Sequence, residues 1–205
     1  MATRVKRIVP APLARVLGEC RGMPVDKALS YLRLRAWRRL GLRSDRSILR
    51  RLKPESVLFV CHGNILRSPM AEELFRLRVA ERGRPIGALS AGLWAVNGRP
   101  ADPRAIAAAR KLGVSLESHL SRSVTATLVA RSDLICVMDY RNEVDVITRF
   151  RGAARKTILL GALDAEHHSS PEIGDPVSLD MDGVDRCYAR MASAVNALVD
   201  ALDRD

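Results

Sequence analysis

The stretch from Ser56 to Glu73 constrains the fold of this chain more than any other. It reads Ser56-Val57-Leu58-Phe59-Val60-Cys61-His62-Gly63-Asn64-Ile65-Leu66-Arg67-Ser68-Pro69-Met70-Ala71-Glu72-Glu73. An apolar, β-branched run ends at a cysteine, a loop follows, and Pro69 stands where the first turn of an acid-rich helix begins. The order predicts strand, loop, helix. A thiol at the carboxyl end of a buried parallel strand, just before a helix N-terminus, lies where open α/β sheets bind ligands. Backbone amides and the helix dipole there favour an anion, and they favour the ionised form of a thiol.

Taken singly, the Cys-x5-Arg spacing is weak, because arginine is abundant throughout the chain. The plain alternative is a buried structural cysteine beside a surface arginine. The whole string instead suits cleavage of a phosphate ester. Cys61 is the candidate thiolate nucleophile, and Arg67 supplies a planar fork for two phosphoryl oxygens and the charge that develops on them. Ser68 can donate to the thiolate. Asn64 tolerates left-handed backbone and can bridge loop turns with its amide, while Gly63 removes a Cβ where main chain approaches phosphate. His62, Ile65 and Leu66 complete the loop.

With these residues in place, the sequence from about Pro54 to the C-terminus resembles the low-molecular-weight protein tyrosine phosphatase family. Val60 to Asn64 and Arg67 to Glu72 are similar to the family's phosphate loop and following helix. Ser90-Ala91-Gly92 and Gly98 to Ala105 resemble its second strand and the segment after it, and Asp133 to Asp139 its third strand. Glu172-Ile173-Gly174-Asp175-Pro176 resembles the Asp-Pro loop that carries the general acid. The resemblance implies a three-layer α/β fold with a four-stranded parallel sheet and helices on both faces. It also implies that Ser90 hydrogen-bonds Asn64, that a histidine stands near position 119, and that catalysis needs neither metal nor cofactor. A structural hydrogen-bonding role is the competing reading of His119, and a strand-ending serine that of Ser90.

The reading of the remaining residues agrees with such a fold. Strands are expected at Ile86 to Ser90, Leu134 to Met138 and Thr157 to Leu160. Helices are expected at Pro69 to Arg82, Asp102 to Leu112, Ser121 to Ala130, Arg141 to Phe150 and Asp182 to Leu202. Strands separated by helices with right-handed crossovers give a parallel sheet. Cys136 falls in a strand and reads as a core thiol. Trp94, in a loop beside the phosphate site, could wall an aromatic substrate or fill the core.

Asp175 is the candidate general acid, because it falls after the last strand and before the closing helix. The Asp-Pro dipeptide alone would not single it out, since Asp102-Pro103 also occurs. A poor leaving oxygen must be protonated as it departs, and the same carboxylate can then activate water. Asp180, Asp182 and Asp185 read as helix-start charges. Three departures from the family pattern stand out. Leu66 occupies the place of a second loop cysteine, so no protective disulfide with Cys61 can form there. Val177-Ser178 replaces an aromatic after the Asp-Pro pair. His62 fills a variable loop position where it could contact substrate.

Charge is divided unevenly. Residues 1–53 hold fifteen Lys and Arg against three Asp and Glu, a net of +12, which leaves −1 for the rest. Residues 1–53 therefore read as a basic, partly helical N-terminal extension and 54–205 as the catalytic domain, with a polar, arginine-rich linker from Arg43 to Pro54. Pro10 and Pro12 interrupt the first candidate for a signal-peptide core, and no stretch is long enough to span a bilayer. Within the extension Asp26 to Leu40 reads as a helix, with Ala28, Leu29, Leu32, Ala36 and Leu40 on one stripe. Three uses of that stripe stay open: packing on the catalytic domain or a second copy, lying on an anionic membrane surface, or docking to an acidic protein. No base-reading motif favours nucleic acid.

Cys20, Cys61, Cys136 and Cys187 show no disulfide or metal spacing, and they suit a reducing, cytoplasmic setting, with peripheral contact at the inner membrane if the helix binds lipid. The expected activity is phosphomonoester hydrolysis, on a tyrosine-phosphorylated protein or another phosphoester, through a Cys61-phosphate. Arsenate reduction on a similar loop is the nearest rival, but it needs resolving thiols. A phosphate-binding scaffold with little turnover is the rival of another class.

Overall fold

The computed structural model describes residues 18–164 and 170–203. The first part of the basic extension, with Pro10 and Pro12, lies outside the described residues. In chain order the elements are α1 (Val25–Arg39), α2 (Asp45–Arg51), β1 (Ser56–Cys61), α3 (Arg67–Glu81), β2 (Gly87–Gly92), α4 (Pro103–Lys111), α5 (Ala126–Arg131), β3 (Leu134–Val137), α6 (Tyr140–Arg149), β4 (Thr157–Leu159) and α7 (Met181–Asp203).

The four strands form one parallel sheet in the order β2-β1-β3-β4. Chain direction across the sheet reverses between β1 and β3, and a crevice opens at the carboxyl ends of strands at such a switch point. Cys61 ends β1 there. Alternation along β1 divides the core in two: Val57, Phe59 and Cys61 face α3, α4 and α7, while Leu58 and Val60 face α1, α5 and α6. Every β1 residue after Ser56 is buried, as a central parallel strand covered on both faces requires.

Helix starts follow local chemistry. Asp102 caps α4 by accepting from Arg104 N at 2.9 Å, with Pro103 at the first helical position, and Asp139 caps α6 by accepting from Asn142 N at 2.7 Å. Elsewhere the boundaries moved. The helix expected from Ser121 begins only at Ala126, capped by Thr125. Ser121 cannot serve as the cap, because its hydroxyl donates to Val96 O at 2.6 Å and accepts from Arg99 N at 3.0 Å.

Around the expected linker the structure differs more. Residues Asp45–Arg51 are helical, Ser44 caps them, and Leu49 is buried in the larger core cluster. The apolar stripe of α1 points outward: Leu29 is 62%, Leu32 36% and Leu40 70% exposed. Of the uses left open for that stripe, packing on the catalytic domain is overturned, because other residues of the helix face the sheet. Tyr31 and Leu34 are the buried residues of α1, and the Tyr31 ring meets that of Tyr140 edge-on at 5.7 Å.

Arginines accompany them inward because carboxylates wait there. Arg38 donates to both oxygens of Asp45 at 2.7 Å and to Glu143 at 2.6 and 2.9 Å, and Asp45 also accepts from Leu159 N at 3.0 Å. Burial opposes the charge of Arg38, yet the hydrogen bonds to Asp45 and Glu143 outweigh it and raise its pKa. A guanidinium with every face partnered can pack where a sequence pattern reserves room for leucine.

Candidate active site

The loop after β1 is built around Asn64. It is the non-glycine residue with positive φ among the described residues, at 55°, a conformation that asparagine reaches more readily than most. Its side chain is wholly buried and its amide is fully used. Nδ2 donates to Ser68 Oγ at 2.9 Å and to Ser90 Oγ at 2.8 Å, while Oδ1 accepts from Arg122 N at 2.9 Å. Its carbonyl oxygen lies 2.8 Å from His119 Nε2.

Cys61 sits at the centre of this frame. Its Sγ accepts from Asn64 N at 3.3 Å and lies 3.0 Å from Ser68 Oγ. Ser68 has one proton to give, and the Asn64 amide already occupies one of its lone pairs. The thiol sulfur is a nearer partner for that proton than Ala91 O at 3.3 Å. No side chain caps the N-terminus of α3, so its first amides have no side-chain acceptor.

Arg67 opens α3 and is almost wholly buried. Nη1 donates to Asp139 Oδ2 at 2.7 Å and to Ile173 O at 3.0 Å, and Nη2 pairs with Asp175 Oδ2 at 2.5 Å. Burial works against its charge, but Asp139, the Cys61 sulfur and Asp175 together hold its pKa above the usual arginine value. The segment carrying Asp175 is held from α4: Arg104 donates to Leu179 O at 2.6 Å and Val177 O at 3.2 Å while its own charge rests on Asp102.

Of the remaining loop residues, His62 is exposed, Gly63 and Ile65 are half-buried, and Leu66 is buried with its carbonyl accepting from Tyr188 of α7 at 2.8 Å. Ile65 O accepts from Asp102 N at 2.9 Å. Trp94 is 58% exposed rather than a core filler, and the Arg149 guanidinium lies 4.0 Å above its ring centroid. A cleft of about 540 Å³ has His62, Arg67, Trp94, Asp139, Asp175 and Val177 in its lining. The structure thus gathers Cys61, Asn64, Arg67, Ser68, Ser90 and Asp175 at one locus, with His62 and Trp94 at its rim.

Two other thiols are disfavoured as thiolates by burial. Burial raises the pKa of Cys136, which lies in β3, and pushes the Cys187 thiol up to about 11. All four cysteines are free. Among the described residues no group of three or more His, Cys, Asp or Glu side chains could hold a metal ion.

Sequence reasoning gave no role to Asp139, Arg104 or Gly92. Asp139 carried one usable signal, a lone carboxylate at a strand's carboxyl end. Gly92 carried none. A Cβ there would lie 2.8 Å from His62 O and 2.9 Å from Asn64 N, so the end of β2 touches the back of the loop and admits only glycine. At Gly63 the nearest protein atom to such a Cβ is Ile65 Cγ1 at 3.7 Å, an ordinary contact.

Comparison with known proteins agrees with this geometry. The model of the low molecular weight phosphotyrosine protein phosphatase family matches residues 56–205. A probable low molecular weight protein-tyrosine-phosphatase of Erwinia amylovora, AmsI, is 37% identical over 150 residues, which is 73% of this chain and 98% of the relative. The tyrosine phosphatase Wzb from Escherichia coli K30, solved with sulphate, superimposes with a TM-score of 0.61 at 33% identity, covering 74% of this chain and 99% of that one. The arginine phosphatase YwlE superimposes with a TM-score of 0.68 at 26% identity, covering 73% and 97%.

Proposed function

The chain belongs to the low molecular weight phosphotyrosine protein phosphatase family, and from that premise we propose that it hydrolyses protein phosphotyrosine through a Cys61-phosphate. The observation that carries this reading is the pairing around Cys61 Sγ of a hydroxyl at 3.0 Å and an amide at 3.3 Å, with a buried guanidinium opening the next helix. These groups favour a thiolate and an anion at one place.

In the first step the Cys61 thiolate attacks phosphorus as the ester P–O bond breaks. Arg67 and the loop amides hold the equatorial oxygens, and the Asp175 carboxylic acid gives its proton to the departing phenolic oxygen. In the second, the Asp175 carboxylate takes a proton from water while that water attacks phosphorus. The S–P bond breaks, inorganic phosphate leaves and the thiolate is restored. Asn64 and Ser90 act by positioning, and Ser68 stabilises sulfur whenever it is the leaving group.

The test is hydrolysis of an aryl phosphate and a phosphotyrosine peptide by the protein and by Cys61→Ser, with EDTA present. Loss of both activities in the variant is expected. Turnover that survives it would overturn the cysteinyl intermediate, and oxyanion binding without turnover would favour a scaffold. Phosphoarginine belongs in the same assay, given the likeness to an arginine phosphatase. Arsenate reduction is disfavoured because it needs accessible resolving thiols and Cys136 is wholly buried in β3.

For the basic segment we propose contact with an anionic membrane surface, on the cytoplasmic side where thiols stay reduced. Its support is the outward row of Val25, Leu29, Leu32 and Leu40, 36 to 77% exposed, with Arg33 and Arg39 on the same helix. No described helix is long and apolar enough to cross a membrane. Co-sedimentation of the full chain with phosphatidylserine vesicles at low salt, lost at high salt, is the expected result. Equal recovery with neutral vesicles would overturn the role of anionic charge, and no recovery with either would point to an acidic protein partner instead.

A further inference from the structure

The cleft beside the phosphate loop is not lined by the family-matching residues alone. Met23 and Pro24, from the turn that leads into α1, and Lys27, in its first turn, line it together with Trp94 and Val177. That turn is firmly held. Lys27 Nζ pairs with Asp145 Oδ1 at 2.5 Å, Arg141 donates to Glu19 O, and Tyr31 donates to Glu19 Oε2 at 2.6 Å. Met23 N donates to Cys20 O at 3.0 Å, and the Met23 side chain is half-buried against the smaller core cluster.

The chemistry this segment presents is largely apolar. Lys27 is engaged by Asp145, and Arg67, on the same cleft, by Asp139 and Asp175. The apolar part of the lining is the Met23 thioether, the Pro24 ring, Val144, Val177 and the Trp94 indole, which Arg149 covers, while His62, Arg141 and Asn142 add polar groups. A flexible, polarisable thioether and an indole are suited to the face and edge of an aromatic ring. After the Asp-Pro pair stands Val177, a small side chain that leaves one side of such a slot short of apolar surface.

We propose that Met23 and Pro24 form part of the wall for the aryl group of the substrate, so that the N-terminal segment determines specificity for aromatic phosphomonoesters. The wall rests on the phosphatase reading, since it supposes that the phosphoryl group sits in the Cys61 loop. It acts on the ring and not on phosphorus, and the two can be separated by ligands that do and do not reach it.

The experiment measures the affinity of the full-length protein for benzylphosphonate and for inorganic phosphate, by calorimetry. Alongside this, KM and kcat are measured for a phosphotyrosine peptide, in wild type, Met23→Ala and Met23→Leu. The expected result is that Met23→Ala weakens benzylphosphonate about tenfold and raises KM by a similar factor. Phosphate affinity stays within twofold, and Met23→Leu restores most of the loss. An unchanged ratio of the two affinities, or equal weakening of both ligands, would overturn the wall. A wild type that binds the two equally would overturn it as well. Should Cys61-dependent turnover of phosphotyrosine be absent while the affinity ratio still responds to Met23, the substrate reading fails and the wall stands.

Discussion

Asp175 Oδ2 lies 2.5 Å from Arg67 Nη2, so the candidate proton donor and the candidate phosphate-holding cation are each other's partners. On the proposed mechanism, a phosphoryl dianion that draws Nη2 away would release the Asp175 carboxyl toward the leaving oxygen, which would link binding to the freeing of the acid. Asp175→Asn should lower kcat about 100-fold or more with phosphotyrosine, whose phenol leaves poorly, and much less with p-nitrophenyl phosphate. Inhibition by inorganic phosphate should not weaken, because a competing charge has gone. Equal losses on both substrates would exclude Asp175 as the acid.

Gly92 is the glycine the loop depends on. Gly92→Ala puts a methyl within 3 Å of backbone atoms of His62 and Asn64, which cannot swing aside as a side-chain tip would. A cost of about 1–3 kcal/mol is expected, read by urea unfolding, together with a fall in kcat as Asn64 shifts. Gly63→Ala should leave stability nearly unchanged. The pair of measurements separates crowding by protein from crowding by substrate.

Arg38 ties α1 to the rest of the fold. Arg38→Met leaves Asp45 without that cation and Glu143, fully buried, with Arg43 at 2.9 Å as its cation among the described residues. Removing one member of a buried ionic group costs about 3–5 kcal/mol. Unfolding should remain a single transition at lower denaturant, since Tyr31, Leu34 and Leu49 belong to the same cores as the sheet. A double variant with Asp45→Asn should recover part of the loss. Two separate transitions would show that residues 18–53 fold independently.

Asp102 gives an acid-side pH dependence. Its hydrogen bond from the Arg104 side chain, opposed in part by burial, holds its carboxyl below the ordinary value. A carboxyl depressed in the folded state contributes stability that is present above its unfolded pKa, about 3.9, and is lost as pH falls through the lower folded value. Asp102→Asn keeps an N-cap but removes this charge. Thermal melts from pH 5 to pH 2 should therefore fall less steeply in the variant. Identical slopes would remove Asp102 from the linkage.

Phosphoryl chemistry was legible in the sequence because its parts are local. Strand, loop and helix from Ser56 to Glu81 follow from a single contiguous pattern, and the left-handed Asn64 and the Ser68 hydroxyl belong to it. The start of α4 at Asp102-Pro103 was legible for the same reason, whereas the Asp139 cap, bonded to an amide three residues on, was local but went unread. Expectation failed where two local patterns were equally good. Helix α1 carries two apolar faces, and periodicity alone cannot tell which one meets the sheet.

What the sequence by itself determined is the family and the order of strands and helices from Ser56 onward, since both are written in neighbouring residues. Tertiary structure alone decided the partners of the candidate site residues. Asp139 and Asp175 reach Arg67 across separations of 72 and 108 residues, and Ser90 reaches Asn64 across 26. It also turned Arg38 of α1 inward, where carboxylates from α2 and α6 partner it. The leucines of α1 face out and Met23 lines the cleft, two outcomes that no short-range pattern contains.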